Sequence, residues 1–242
     1  MRFKKIIKMF ESGNVSVCGL RGTGKDLLMS NVVIRRKLPY VCNIDYGDAH
    51  IPFSYEDLSC GNNQYTNFIS GDVSQYEYPY PDGTDVYLSD AGIYFPSQFC
   101  SELNRKFPYM SVFQAISRHV GDCNFHFNAQ NLNRVWDKIR EQSDLYIMCR
   151  GCIYFHGLVL QSVTIYDRYQ SAVDRQRPLR LPRPILSNKE TRMMRKIQLA
   201  QYEATHGKIR DAILVYFNRS NYDTRQFRQI LSEGRVSDEK KK

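Results

Sequence analysis

The chain has 242 residues, 42% of them hydrophobic and 24% charged, with a net charge of +9. That balance supports a folded core and excludes a disordered chain, and the length fits one large α/β domain with at most a modest appendage. No stretch reaches the roughly 18–20 consecutive apolar residues that cross a bilayer. The start, MRFKKIIKMFESGNV, is basic but has a broken apolar segment and no small-residue cleavage site, which argues against a secretory signal. The seven cysteines fit no disulfide framework and read as reduced thiols. The expectation is a cytoplasmic protein, free or held peripherally at the inner face of the membrane.

Near the amino terminus Phe3, Ile6, Ile7 and Phe10 share a helical face ringed by Arg2, Lys4, Lys5 and Lys8. Such a stripe packs on its own domain or lies on a membrane surface. Asn14–Cys18 reads as a short buried strand, and GLRGTGKD follows at once. LLMSNVVIRRKL then has helical spacing and stops before Pro39. Tyr40–Asn43 is a second strand. Residues 45–84 are polar and read as a long surface excursion. Asp85–Asp90 is a strand running into AGIYFPSQF. Helices are expected at Ser97–Lys106 and Val112–His119, a strand at Asn124–Asn128 and a helix at Val135–Gln142. Residues 145–168 are rich in β-formers and predict two or three strands, with turns near Gly151 and Gly157.

Strands alternating with helices through residue 150 predict a three-layer α/β core with a mostly parallel sheet. We place this domain at residues 1–174. Residues 175–242 open with the proline-punctuated run RQRPLRLPRPILSNKE and read as a basic helical appendage. Its helices are expected at Lys189–Thr205 and Ile209–Phe217, with a last turn at Thr224–Leu231. Between residues 175 and 210, Arg175, Arg177, Arg180, Arg183, Lys189, Arg192, Arg195, Lys196, Lys208 and Arg210 stand against Glu190 and Glu203. This concentration suits DNA phosphates or an anionic membrane surface, or it is a solvated helix face. Cys149 and Cys152 form a single C-x-x-C; without a second pair, packing in a hairpin is the better account.

The strongest signal is Gly19-Leu20-Arg21-Gly22-Thr23-Gly24-Lys25-Asp26. It matches G-x-x-x-x-G-K between a strand and a helix, the context in which that pattern binds nucleotide phosphates. The glycines let backbone N–H groups turn inward, the helix start adds its positive dipole end, and Lys25 reaches the β- and γ-phosphates of ATP. The residue after the lysine is normally Ser or Thr, whose hydroxyl binds Mg²⁺. Asp26 stands there instead, as a carboxylate metal ligand or as a charge that weakens binding. Asp90, at the end of Val86-Tyr87-Leu88-Ser89, is the second metal candidate, placed to hold Mg²⁺ through water; alternatively it caps the strand end. The next residues are Ala91 and Gly92, so the Glu that activates water in many such ATPases is missing, and Glu102 or Asp122 would have to replace it.

Three blocks carry a family resemblance: GLRGTGKD, LSDAGIYFPSQF, and SRHVGDCNFHFNAQNLNRVWDKIREQSDLYIMC. In order and spacing they resemble the zonula occludens toxin-like family, which includes filamentous-phage assembly ATPases, over roughly residues 13–170. The resemblance implies a RecA-like P-loop core of the FtsK/HerA-like branch and ATP-driven phage assembly or export. It implies a homo-oligomer, in ring form for a motor, with phage or mobile-element assembly proteins as partners. By position Gln130 would sense the γ-phosphate at a strand end, and Arg118 and Arg140 would serve as arginines acting on a neighbouring subunit. Gln130 is equally suited to bond at a strand end, and the two arginines to surface helix ion pairs. The family's transmembrane helix after the ATPase domain has no counterpart here; the basic segment stands in its place.

These readings leave three functions open. One is a cytoplasmic P-loop ATPase of a phage or mobile element, in virion assembly or DNA translocation. The second is a nucleotide-dependent scaffold with little hydrolysis, which the missing Glu favours. The third is a DNA-binding module built on the basic segment.

Overall fold

A computed structural model of the chain describes residues 1, 3–58, 80–106, 122–176 and 189–220. The expected helix Val112–His119, with Arg118, and the expected turn Thr224–Leu231 lie outside the described residues.

Eight strands form one sheet, in the order β3-β2-β4-β5-β1-β6-β7-β8. They are β1 (Val15–Cys18), β2 (Tyr40–Cys42), β3 (His50–Pro52), β4 (Asp85–Leu88), β5 (Phe125–Ala129), β6 (Leu145–Phe155), β7 (Leu158–Tyr166) and β8 (Ile209–Phe217). The first six are mutually parallel, and β7 and β8 extend the sheet antiparallel. β1 and β4 share this sheet, as the strand–helix alternation predicts. The central strands are buried on both faces, which accounts for sequences such as NVSVC lacking polar alternation.

The sheet has a core on each face. On one side α1 (Phe3–Ser12) and α2 (Lys25–Arg36) set Phe3, Ile6, Phe10, Leu28, Met29 and Val32 against Val15, Val17, Ile147, Val163, Leu214 and Tyr216. The apolar stripe of α1 is therefore consumed by its own sheet. The Phe3 ring lies 4.4 Å from that of Tyr216, tilted by 32°, and the Arg35 guanidinium lies 4.6 Å over the Phe3 ring. On the other face Phe95, Leu132, Val135, Trp136, Ile139 and Ala172 pack on Leu88, Phe125, Phe127, Tyr146 and Tyr166. Burying each such apolar side chain contributes about 1.5–3 kcal/mol.

Three sequence expectations are corrected. Ile209–Phe217 is a strand, not a helix, and pairs with β7 along its full length. Its IRDAILVYF sequence is apolar on both faces, with Leu214 and Tyr216 buried and Ile213, Val215 and Phe217 exposed. Period therefore does not separate helix from strand there, and the β-branched and aromatic content prevails. Gly151 marks a register irregularity within β6 rather than a turn, whereas the hairpin turn is His156-Gly157, both at positive φ (45° and 82°), as a tight two-residue connection demands. Residues 45–84 contain β3 and a short helix, Tyr55–Leu58. The helix Lys189–His206 is present and has no buried residue.

Candidate functional site

Parallel strands present their carboxyl ends together, and the glycine-rich loop leaves the end of β1 there. Gly19 donates from its backbone N–H to the Ala129 carbonyl at the end of β5 (3.2 Å), and the Thr23 hydroxyl closes the loop on the Leu20 carbonyl (2.7 Å). A side chain at Gly19 would meet the Cys149 carbonyl oxygen at 2.7 Å, so only glycine lets the loop pass so close to β6. Gly24, at φ 80°, begins α2 without any side-chain cap. The first N–H groups of α2 thus lack intrahelical partners and lie where the helix dipole is positive, the arrangement that receives anions.

Lys25 opens α2 and is buried, its side chain 7% exposed. Its ammonium lies 3.1 Å from Asp26 Oδ2 and 3.4 Å from Asp90 Oδ1. Burial pulls the Lys25 pKa down, but the two carboxylates outweigh it and the net shift is upward. Lys25 is therefore held as a cation. Asp90 goes up, through burial first, against the pull of Lys25, and with a further push from Asp26.

Asp26 points inward. Its Oδ1 accepts from Ser89 Oγ and from Asn128 Nδ2, both at 2.8 Å. Both of its oxygens are thus engaged by protein, and it acts as a hub tying α2 to β4 and β5. Asn128 also accepts from the Asp90 backbone N–H (2.8 Å) and donates to Ser89 Oγ (2.9 Å). Asn43 clasps the Ser89 backbone in both directions (2.7 and 2.9 Å), and Tyr46 meets the Ser89 hydroxyl (3.0 Å). Asp90 itself adopts a left-handed conformation, φ 50°, which costs an L-residue about 1–2 kcal/mol. The bond to Asn128 helps hold that conformation.

β1 lies between β5 and β6, and β4 is beyond β5. Asp90 reaches Lys25 although its strand is not the loop's neighbour. Gln130, just past β5, is exposed and lines an open cavity of about 220 Å³ with Asp90, Gly92, Ile93, Ala129, Asn131 and Arg134. Among the described residues, Arg134 is the arginine that lines this cavity. Arg140 is occupied elsewhere: it donates to the Val135 carbonyl (3.2 Å) and its guanidinium covers the Tyr169 ring at 5.1 Å.

The missing glutamate acquires a structural meaning. Ala91 is completely buried and belongs to the core on the face of the sheet opposite α2. The left-handed turn at Asp90 sends the next side chain into that core, so position 91 does not face the cavity. Neither proposed substitute is placed there. Glu102 is exposed on the helix Cys100–Lys106, outside the cavity lining, and Asp122 precedes β5, at the opposite end of the strand from Gln130.

Sequence reasoning missed Ser89, Asn128, Asn43, Gln161 and Arg134. Gln161, in β7, lies beneath the loop and donates to the Thr23 and Gly24 carbonyls (3.0 and 2.9 Å). A polar side chain within an apolar strand sequence, as in FHFNA or LVLQSV, was the available signal, since such a group requires a buried partner.

Among the described residues no helix is long and apolar enough to cross a membrane, and no cluster of three or more His, Cys, Asp or Glu could hold a metal. The chain matches no family model and no curated protein sequence. Solved structures similar to it include the N-terminal domain of zonular occludens toxin from Neisseria meningitidis, at 12% identity over 89% of this chain and 96% of that one, TM-score 0.43. They also include the genome packaging NTPase B204 from Sulfolobus turreted icosahedral virus 2. In complex with AMPPCP it is 16% identical over 72% of this chain and 98% of that one, TM-score 0.40. In complex with AMP it is 18% identical over 56% and 74%, TM-score 0.37. At these identities and scores no residue role passes from those proteins to this chain; its α/β fold stands on its own sheet and loop.

Proposed function

We propose that the chain is an ATP-binding P-loop NTPase of a phage or related mobile element, acting in virion assembly or export or in DNA translocation. One observation carries this reading: a buried, cationic Lys25 at the uncapped start of α2, facing the Asp90 carboxylate across a glycine loop. Such a loop accepts the phosphates on backbone N–H groups of Gly19–Asp26, with Lys25 as counter-charge.

Magnesium fits the donor set through Asp90, because this ion takes one or two carboxylates and fills its remaining positions with phosphate oxygens and water. Asp26 fits as its second-line partner, both oxygens being engaged by Lys25, Ser89 and Asn128. Bound there, Mg²⁺ would neutralise phosphate charge. The protein's own part is to orient Lys25 through Asp26, to hold Asp90 through Asn128, and to offer Gln130 and Arg134 to the terminal phosphate.

The buried Ala91 favours a second reading, a nucleotide-dependent scaffold with slow turnover. Asp90 is the one carboxylate lining the cavity among the described residues. Assembly into a ring, with arginines such as Arg118 acting on a neighbouring subunit, belongs to the first reading, and either allows a peripheral place at the membrane. Contact with DNA or an anionic membrane belongs to residues 175–210, of which the basic helix Lys189–His206 buries no residue.

Steady-state hydrolysis by the purified protein, compared with Lys25→Ala, tests the ATPase. Equal rates would remove it. Tight ATP binding with negligible turnover, persisting after DNA or assembly partners are added, would establish the scaffold.

A further inference from the structure

Beneath the loop, on the side away from the cavity, the antiparallel extension of the sheet reaches back. Gln161 is fully buried in β7, opposite Cys152 of β6 and Leu214 of β8. Its amide nitrogen donates to the carbonyls of Thr23 and Gly24 and lies 3.2 Å from Cys149 Sγ. Its amide oxygen accepts from the Tyr216 hydroxyl of β8 at 2.8 Å. The orientation of the amide follows from this network, since reversing it would set its oxygen against two carbonyls.

In a trans peptide the C=O and the next residue's N–H point in opposite directions. The Thr23 carbonyl is drawn onto Gln161, which turns the Gly24 N–H the opposite way, and the Gly24 carbonyl is shared between Gln161 and the Leu28 N–H of α2 (2.9 Å), which turns the Lys25 N–H away from both. These are amides that a phosphate would meet. The seat has little slack, because a Cβ on Gly24 would lie 2.9 Å from Cys152 Cβ and 3.0 Å from Gln161 Nε2. Tyr216 is itself fixed, 3% exposed and packed against the ring of Phe3 of α1.

We infer that Gln161, oriented by Tyr216, is a positioning residue that sets the phosphate-facing amides of the loop, so that nucleotide affinity depends on β7 and β8. This rests on the nucleotide-binding reading above. It also gives the segment beyond residue 174 a part in the site, through Tyr216, independent of its basic charge.

The test compares Gln161→Met, which keeps length and volume, with Tyr216→Phe, which removes one hydroxyl and keeps the ring. Three quantities are read: ATP affinity, the thermal unfolding midpoint, and amide hydrogen exchange of residues 19–28 without nucleotide. Gln161→Met should weaken ATP by about tenfold, the scale of one to two buried hydrogen bonds, and Tyr216→Phe by about threefold. In both, exchange should quicken at the loop and stay unchanged in β2 and β4. Unchanged loop exchange, or exchange that rises equally in every strand, would overturn the inference. Should the unmodified protein bind no ATP, the nucleotide reading fails, while loop exchange still decides the positioning role. Should Gln161→Met not fold, Tyr216→Phe decides on the same readings.

Discussion

Strand β4 carries a charged cluster at each end, and the two ends do different work. At its start, Asp85 is 2% exposed and forms an ion pair with Arg36 of α2. It also accepts from the Asn124 backbone N–H (2.8 Å) and lies 3.5 Å from His126 Nε2. His126 in turn accepts the Val15 N–H through Nδ1 at 3.2 Å. This cluster ties β1, β4, β5 and α2 together and is closed to water. At the other end, just past the strand, Asp90 is 23% exposed in its side chain, sits in a left-handed conformation, and shares one ammonium with Asp26. With both Asp26 oxygens engaged by protein, the capacity left for a ligand beside the open cavity lies with Asp90. Closure marks the structural pair, and an unbalanced, accessible cluster on a strained backbone marks the candidate functional one.

Substitutions at matched positions separate the two ends. Asp85→Ala should have the largest effect on folding, about 3–5 kcal/mol, because it leaves Arg36 buried without its counter-charge. Chemical denaturation reads this directly, and a loss below about 1 kcal/mol would erase the distinction. Ala91→Glu comes next. It forces a long charged side chain into a filled core, where overpacking alone costs about 1–3 kcal/mol, and it should yield no gain in ATP hydrolysis. A stable variant with faster hydrolysis would show that position 91 faces the cavity after all.

Asp90→Asn should leave the unfolding midpoint at neutral pH unchanged or raised while lowering hydrolysis by about 10²–10⁴-fold. The pH dependence has a definite sign. Burial holds the Asp90 carboxyl above its ordinary value of 3.8. The stability it contributes is full below that value and is lost as pH rises through the folded-state pKa. The Asn variant should therefore match the unmodified protein in acid and equal or exceed it above. A variant less stable at neutral pH would make Asp90 a structural residue like Asp85. The smallest effect belongs to Asp26→Ser, which supplies a hydroxyl but loses the bond to Lys25 and the acceptor for Ser89 and Asn128. Hydrolysis should fall by about 10–100-fold, the scale of one charge-assisted hydrogen bond.

The same contrast explains what could be read in the residues. The loop, Lys25 and Asp90 are contiguous with a strand and a helix whose patterns are local, so spacing alone placed them. Asn128 and Ser89 meet Asp26 from two other strands, and Gln161 and Tyr216 meet the loop from beyond the parallel core. Only the strand order brings them together, and no local period encodes that order. Ala91 shows the limit from the other side. Its place after Asp90 led to the expectation of a catalytic position, yet a single left-handed residue turned it into the core. For β8, apolar residues on both faces concealed the strand, and its partner β7 decided it.

The central claim is that Gly19–Asp26, with Lys25, receives a nucleotide. Calorimetric titration of ATP with Mg²⁺ into the unmodified protein and into Lys25→Ala tests it most directly. The account predicts saturable binding at one site per chain, weakened about tenfold or more in Lys25→Ala, with both proteins compared at a temperature where each is folded. Absence of binding to the unmodified protein, or equal affinity in the two, would contradict it.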